Sequence, residues 1–285
     1  NDTLTGGAGN DTFNVDAGTD SISDLGGSDI LVVSSGATVN ATSISSFTAT
    51  SGTSNAGTAN LTASNSGSTI NMSSSASGAY TITGGAGTDI ITGSSADDTI
   101  VIAISAEGNS DTVDGGAGSD ILQLSSGVHT LTTDNKLLNV ETVKTHADGS
   151  TVDLTNQTES FNITVGAGTD SLKGGEAADT INILNAGEGN SDTIDGGAGS
   201  DIIQLSTGSH ALTTDNKLLN VETILAHASG SSIDLTNQAE AFTITGGAAV
   251  DTLKGGSGAD IITGNGGNDI ITGGAGNDSL TGNAG

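Results

Sequence analysis

The chain contains no cysteine, no proline, no tryptophan and no arginine, and only 2% of its residues are aromatic. Each absence excludes something. Without Cys there is no disulfide framework, which is compatible with secretion by a route that never uses oxidative folding. Without Pro no strand N–H is lost, as a continuous parallel ladder requires. The shortage of aromatic residues leaves poor material for a wide globular core, whereas a thin solenoid needs only a narrow file of aliphatic side chains. Cations are nearly missing too: five Lys face 33 acidic residues, for a net charge of −28. Neutralising phosphate takes Lys and Arg, so nucleic acid is excluded as a partner, and anionic lipid is excluded on the same ground. No stretch approaches the roughly 18 apolar residues of a membrane-spanning helix, so direct membrane insertion is not expected.

What is abundant is glycine, 45 residues in 285, and aspartate at regular intervals. The last part of the chain is four consecutive nine-residue units, Gly246 to Lys254, Gly255 to Thr263, Gly264 to Thr272 and Gly273 to Thr281. Each runs close to G-G-x-G-x-D-x-U-x, with U a large aliphatic residue. The glycines permit a tight turn that gathers backbone carbonyls, and the Asp adds a hard anionic oxygen. The aliphatic residue then starts a short inward-facing strand. Hard oxygens in that arrangement suit Ca²⁺. A disordered acidic chain would not keep Asp at strict nine-residue spacing. Bound Ca²⁺ would also relieve the self-repulsion of so much like charge.

Units of this kind fall into four blocks, 1–33, 84–123, 165–204 and 246–285, separated by connectors 34–83, 124–164 and 205–245. A longer repeat overlies them: Asp111, His129, Lys136, Glu141 and Phe161 recur 81 positions later as Asp192, His210, Lys217, Glu222 and Phe242. Within the second and third blocks the step from Asp98 to Asp111, and from Asp179 to Asp192, is 13 residues rather than nine. Two nine-residue units make one coil, so Asp89 is expected to stack on Asp111 and Asp98 on Asp120, each 22 apart. The extra residues, within 100–110 and 181–191, are expected to lengthen a strand or bulge a turn. The connectors alternate apolar residues and read as calcium-free coils of the same solenoid. Asp134 to Leu138 reads as one short helical turn. The Ser/Thr/Ala-rich segment 34–83 reads as a wall of small residues rather than a floppy insertion. Gly282-Asn283-Ala284-Gly285 followed by Asn1-Asp2-Thr3-Leu4-Thr5 spells one further unit, which either a longer array or head-to-tail contact between subunits would explain.

The tandem units resemble the RTX (repeats-in-toxin) family of calcium-binding nonapeptide repeats. The resemblance implies an all-β fold, a right-handed parallel β-roll or β-helix solenoid with Gly-Asp calcium turns. It implies several Ca²⁺ ions, each between two stacked turns and held by the motif Asp of each turn together with glycine carbonyls. Carried over residue by residue, the ligand pairs are Asp251 with Asp269 and Asp260 with Asp278. Asp2 with Asp20 and Asp11 with Asp29 follow, in a block whose later units are degenerate. Asp89 with Asp111, Asp98 with Asp120, Asp170 with Asp192 and Asp179 with Asp201 complete the set. Gly-rich turns cost much backbone entropy to order, so folding is expected to await the ion.

No catalytic motif emerges. His129, His146, His210 and His227 match no H-E-x-x-H pattern and read as surface residues of the connectors. Tyr80, Phe161 and Phe242 share one register and read as core plugs. The chain is therefore expected not to be an enzyme. The alternation of blocks and connectors resembles bacterial surface-layer proteins of the RTX type: extracellular, at the bacterial cell surface, and self-associating head to tail or in a lattice. A stalk of a large RTX adhesin and the secretion or folding module of an exported enzyme or toxin are the other readings.

Overall fold

The computed structural model describes residues 1–105, 110–187 and 191–285. The chain divides into two compact units, Asn1–Val143 and Lys144–Gly285. Both are built from parallel strands of two to seven residues, and no α-helix occurs among the described residues.

In the first unit one ladder runs through Thr3–Leu4, Thr19–Ile22, Thr38–Ile44, Thr58–Ala63, Thr81–Gly84, Thr99–Ile102 and Ile121–Leu124. Every neighbouring pair is parallel. Shorter ladders form the other walls. One joins Thr12–Val15, Ile30–Val33 and Ser54–Asn55. Another joins Ser46–Thr48, Thr69–Asn71, Ile90–Thr92, Thr112–Asp114 and Leu137–Leu138. The second unit repeats the plan through Asn162–Val165, Thr180–Ile183, Ile202–Leu205, Thr223–Leu225, Thr243–Thr245, Ile261–Thr263 and Ser279–Thr281. Strands that pair in parallel with about 18 to 24 residues between register mates are successive coils of a β-solenoid. The expected fold class is what the chain adopts.

Alternation decides which side chains go inside. In Thr99–Ile102 the burial alternates residue by residue, with Ile100 and Ile102 inward. Register then stacks like on like. Ile163, Ile181, Ile203, Ile224, Ile244 and Ile262 are successive register mates, and all are 0% exposed. β-branched residues suit such a pleated, buried file. Tyr80, Phe161 and Phe242 are buried as core residues.

The connectors are strand-forming coils. Segment 34–83 contains Thr38–Ile44, Ser46–Thr48, Ser54–Asn55, Thr58–Ala63, Thr69–Asn71 and the start of Thr81–Gly84, so it is a wall. Ala37, Ala41, Ala49, Ala59 and Ala63 face its interior. The helical turn appears in both copies as a single 3₁₀ turn, Asp134–Lys136 and Asp215–Lys217, and each passes directly into strand. The strands before the long steps, Thr99–Ile102 and Thr180–Ile183, have four residues against three in Ile90–Thr92. The rest of each insertion falls largely on 106–109 and 188–190, outside the described residues. Lys136 Nζ donates to the carbonyl of Ser110 at 3.0 Å, and Lys217 Nζ to that of Ser191 at 2.8 Å.

Two histidines depart from the surface expectation. His129 and His210 are 0% exposed because each occupies an inward position of its strand, Gly127–Thr130 or Gly208–Ala211. The imidazole Nε2 bonds the carbonyl of Ser125 at 2.9 Å or of Ser206 at 3.0 Å. His146 and His227 lie at turns, where Nδ1 accepts from the backbone N–H of Asp148 or Ser229, each at 3.1 Å.

Truncating the aliphatic file tests this packing. Ile244→Ala should cost about 2–5 kcal/mol in urea unfolding of calcium-loaded protein, since a narrow core collapses poorly around a cavity. A loss below about 1 kcal/mol would show that Ile244 does not stand in a close-packed file.

Candidate metal centre

The site is assembled by the nonapeptide turn itself. In Gly255–Thr263 the strand Ile261–Thr263 turns Ile262 inward, which places Asp260 at the mouth of the turn, 1% exposed. Asp260 Oδ2 accepts from the backbone N–H of Gly256 at 2.9 Å and closes its own turn. Oδ1 accepts from the N–H of Phe242, one coil back, at 2.8 Å. The N–H of Asp260 in turn donates to Asp278 Oδ1, one coil on, at 3.0 Å. A single carboxylate thus shapes a turn and ties two coils together.

All eight expected pairs stack in this way. The N–H of the first Asp donates to Oδ1 of the second for Asp2 and Asp20 (2.8 Å), Asp11 and Asp29 (2.8 Å), Asp89 and Asp111 (2.9 Å) and Asp98 and Asp120 (2.7 Å). The same bond joins Asp170 to Asp192 (3.0 Å), Asp179 to Asp201 (2.7 Å), Asp251 to Asp269 (2.9 Å) and Asp260 to Asp278 (3.0 Å). The separation is 22 residues in the four pairs of the second and third blocks. Asp2, Asp11, Asp269 and Asp278 are partly or fully exposed, while the other twelve aspartates are buried.

Several functional residues escaped the motif. Glu141 Oε2 accepts from the N–H of Asp120, and Glu222 Oε2 from that of Asp201, each at 2.7 Å. These glutamates stand in for the motif Asp where a block gives way to a connector. The sequence signals for them are the 81-residue recurrence of Glu141 as Glu222 and their place 21 residues after Asp120 and Asp201. The N–H groups of Ser150 and Ser231 donate to Asp170 and Asp251, and those of Tyr80 and Phe161 to Asp98 and Asp179. In the degenerate first block Asp24 accepts from the N–H groups of Gly6 and Gly7.

Burying so many carboxylates is unfavourable unless charge is offset. Asp120 Oδ2, Asp201 Oδ2 and Asp269 Oδ2 are buried with no hydrogen-bond donor. Burial, reinforced by the neighbouring Asp98 and Glu141, pushes the Asp120 carboxyl up to about 6 despite the N–H of Asp98. The Asp201 carboxyl is pushed up to about 6 in the same way, by burial and then by Asp179 and Glu222. Burial also raises Asp98 and Asp179. Such groups hold a proton or a cation.

Gly93, Gly174 and Gly255, each the first glycine of its unit, keep open the space a cation would use. A Cβ on Gly93 would lie 1.9 Å from the carbonyl oxygen of Gly115 and 2.7 Å from Asp98 Oδ2. On Gly174 it would meet the carbonyl oxygen of Gly196 at 2.0 Å and Asp179 Oδ2 at 2.8 Å. On Gly255 it would meet the carbonyl oxygen of Gly273 and Asp260 Oδ2, both at 2.3 Å. Carboxylate and backbone oxygens facing one another across a side-chain-free gap fit a hard cation such as Ca²⁺. Among the described residues no three His, Cys, Asp or Glu side chains converge, so carbonyls must supply much of any coordination shell.

The model of the RTX calcium-binding nonapeptide repeat matches residues 1–22, 78–101, 104–127, 162–185, 182–209, 245–280 and 263–285, together more than half of the chain. The chain belongs to this RTX family. Its repeats bind calcium, and RTX repeat proteins are generally secreted. No curated protein and no solved structure matches the chain. Among the described residues of the RTX chain no helix is long and apolar enough to cross a membrane.

Two outcomes follow from the turn. Gly255→Ala should weaken calcium binding at that turn by about tenfold, roughly 1.4 kcal/mol, in calorimetric titration. Gly282→Ala, whose Cβ would meet nothing within 4 Å, should leave binding unchanged. Equal affinity for both variants would place the ion elsewhere. The second outcome concerns pH. Asp120 and Asp201 have pKa values raised from 3.8 to about 6, so their stabilising contribution is present below 3.8 and lost as pH rises through about 6. His129 and His210, lowered by burial, work the other way: their contribution is present above 6.5 and lost as pH falls. With Asp98 and Asp179 adding to the first group, the aspartates outnumber the histidines. Metal-free protein, a coil at neutral pH, should therefore gain β-structure as pH falls from about 6 towards 4. Calcium-loaded protein should show the reverse, because protons displace the ion. Metal-free protein that gains no β-structure over this pH range would contradict the shifted aspartates.

Proposed function

We propose that this RTX chain is a calcium-dependent structural protein of the extracellular bacterial surface, in a surface layer, sheath or filament, folding and assembling as Ca²⁺ binds. The observation that carries this reading is the ladder of buried aspartates in a chain with five Lys and no Arg. Such a ladder has too few internal cations to neutralise it, so an external divalent ion is the natural counter-charge. We assign the ligand role to Asp2, Asp11, Asp20, Asp29, Asp89, Asp98, Asp111, Asp120, Asp170, Asp179, Asp192, Asp201, Asp251, Asp260, Asp269 and Asp278, aided by carbonyls of the glycine turns. The ion would supply attraction between stacked turns. The chain's own groups shape the cradle and fix its spacing.

The remaining architecture supports a structural rather than a catalytic role. Most of each unit is devoted to repeating walls. The buried histidines bond the backbone carbonyls of Ser125 and Ser206. The division into four calcium blocks and three connectors is part of the proposal. So is self-association, for which the exposed Ile90, Val128, Leu184, Val250, Ile261 and Ile270 are apolar side chains available at the surface.

Static light scattering during calcium addition to chelated protein tests assembly. A surface-layer or filament protein should give a scattering rise together with β-structure, and electron microscopy should show ordered arrays or fibres. β-structure that forms while the molecular mass stays at 27.4 kDa would contradict assembly and favour a monomeric stalk.

A further inference from the structure

We propose that the second connector repeat carries a hard-cation site of its own, formed by Gln238 and Glu240 beside the 3₁₀ turn at Asp215. The motif defines no ligand here, and the connectors read from sequence as calcium-free. The turn Asn237–Ala241 lies one coil before the glycine turn of Gly256 and Gly258. The N–H and Oγ of Ser257 both donate to the carbonyl of Gln238, at 2.8 and 3.2 Å. Gln238 is 0% exposed although its side chain is polar. Its Nε2 donates to the carbonyl of Leu212, one coil back, which fixes the amide and identifies the other atom as oxygen. That oxygen, Oε1, is buried and has no donor.

Glu240, two residues on, has its Oε2 buried and also without a donor. No ion pair among the described residues includes Glu240. Between the two, the N–H of Ala239 donates to Asp215 Oδ1 at 2.7 Å, which holds a second carboxylate against the same turn. A buried amide oxygen and a buried carboxylate oxygen that both lack donors are costly alone. Together they are what a cation of the Ca²⁺ type takes, since it accepts side-chain amide and carboxylate oxygens alike. A partner that donates protons would serve Gln238 but leave the Glu240 charge in place; a cation serves both. The first connector repeat has the same turn chemistry, with Gln157 0% exposed and Glu159 Oε2 buried without a donor.

Crystals of the intact chain grown with CaCl₂ and then exchanged into terbium test the site by anomalous scattering. The expected result is a peak about 2.3–2.6 Å from both Gln238 Oε1 and Glu240 Oε2. An empty position there, with ions present at the Asp260 and Asp278 turns, overturns this site and leaves the calcium reading of the motif intact. Empty positions at both overturn the two together. In solution, Glu240→Gln keeps the size of the side chain and removes its charge. Equilibrium dialysis with radioactive calcium should then count one ion fewer per chain, with the far-ultraviolet dichroism of the loaded protein unchanged. An unchanged count overturns the site.

Discussion

The carboxylate that spans two coils is the constraint from which the rest of the structure follows. In Asp98, Asp179, Asp251 and Asp260 one carboxylate oxygen closes its own turn and the other accepts an N–H from the coil before it, as Asp260 does with Gly256 and Phe242. This bond sets the coil length, because the next Asp must arrive above the last. It also buries charge, because the acceptor position lies under the following coil. Fold and function are therefore one requirement: the geometry that stacks the turns creates the demand for a counter-ion.

Composition reflects the same requirement. In the four units of the last block the first position is glycine, and at Gly255 a Cβ would occupy the gap between Asp260 and the carbonyl of Gly273. At Gly274 the turn needs a φ of +106°, which disfavours any side chain. Such turns lose much entropy on ordering, and the isoleucine file is narrow. The connectors substitute other means. Phe161 and Phe242 place an aromatic plug where the Asp would stand, and Glu141 and Glu222 extend an acceptor across the block boundary.

Much of this was legible in the sequence because the period is itself a physical dimension. The tandem nine-residue units carried the resemblance that implied the fold class and the eight stacked pairs. The 13-residue step gave the 22-residue separation of Asp89 from Asp111, since a common insertion leaves both stacked rows in step. What escaped depends on where a side chain points, which spacing does not encode in irregular coils. His129 and His210 looked like surface residues because their strands are short and flanked by Ser and Gly, yet they face inward. Glu141 and Glu222 hid because Glu reaches with one more methylene from a coil that lacks the glycine turn. Gln238 hid because a buried amide has no sequence signature.

The central claim is that ion binding and folding are one event, since the buried carboxylates have too few internal cations to offset them. Far-ultraviolet circular dichroism of chelated protein, followed through a calcium titration, tests it most directly. A coil-to-β transition that tracks calcium occupancy is the predicted result. β-structure that persists unchanged in chelator at neutral pH would contradict the account.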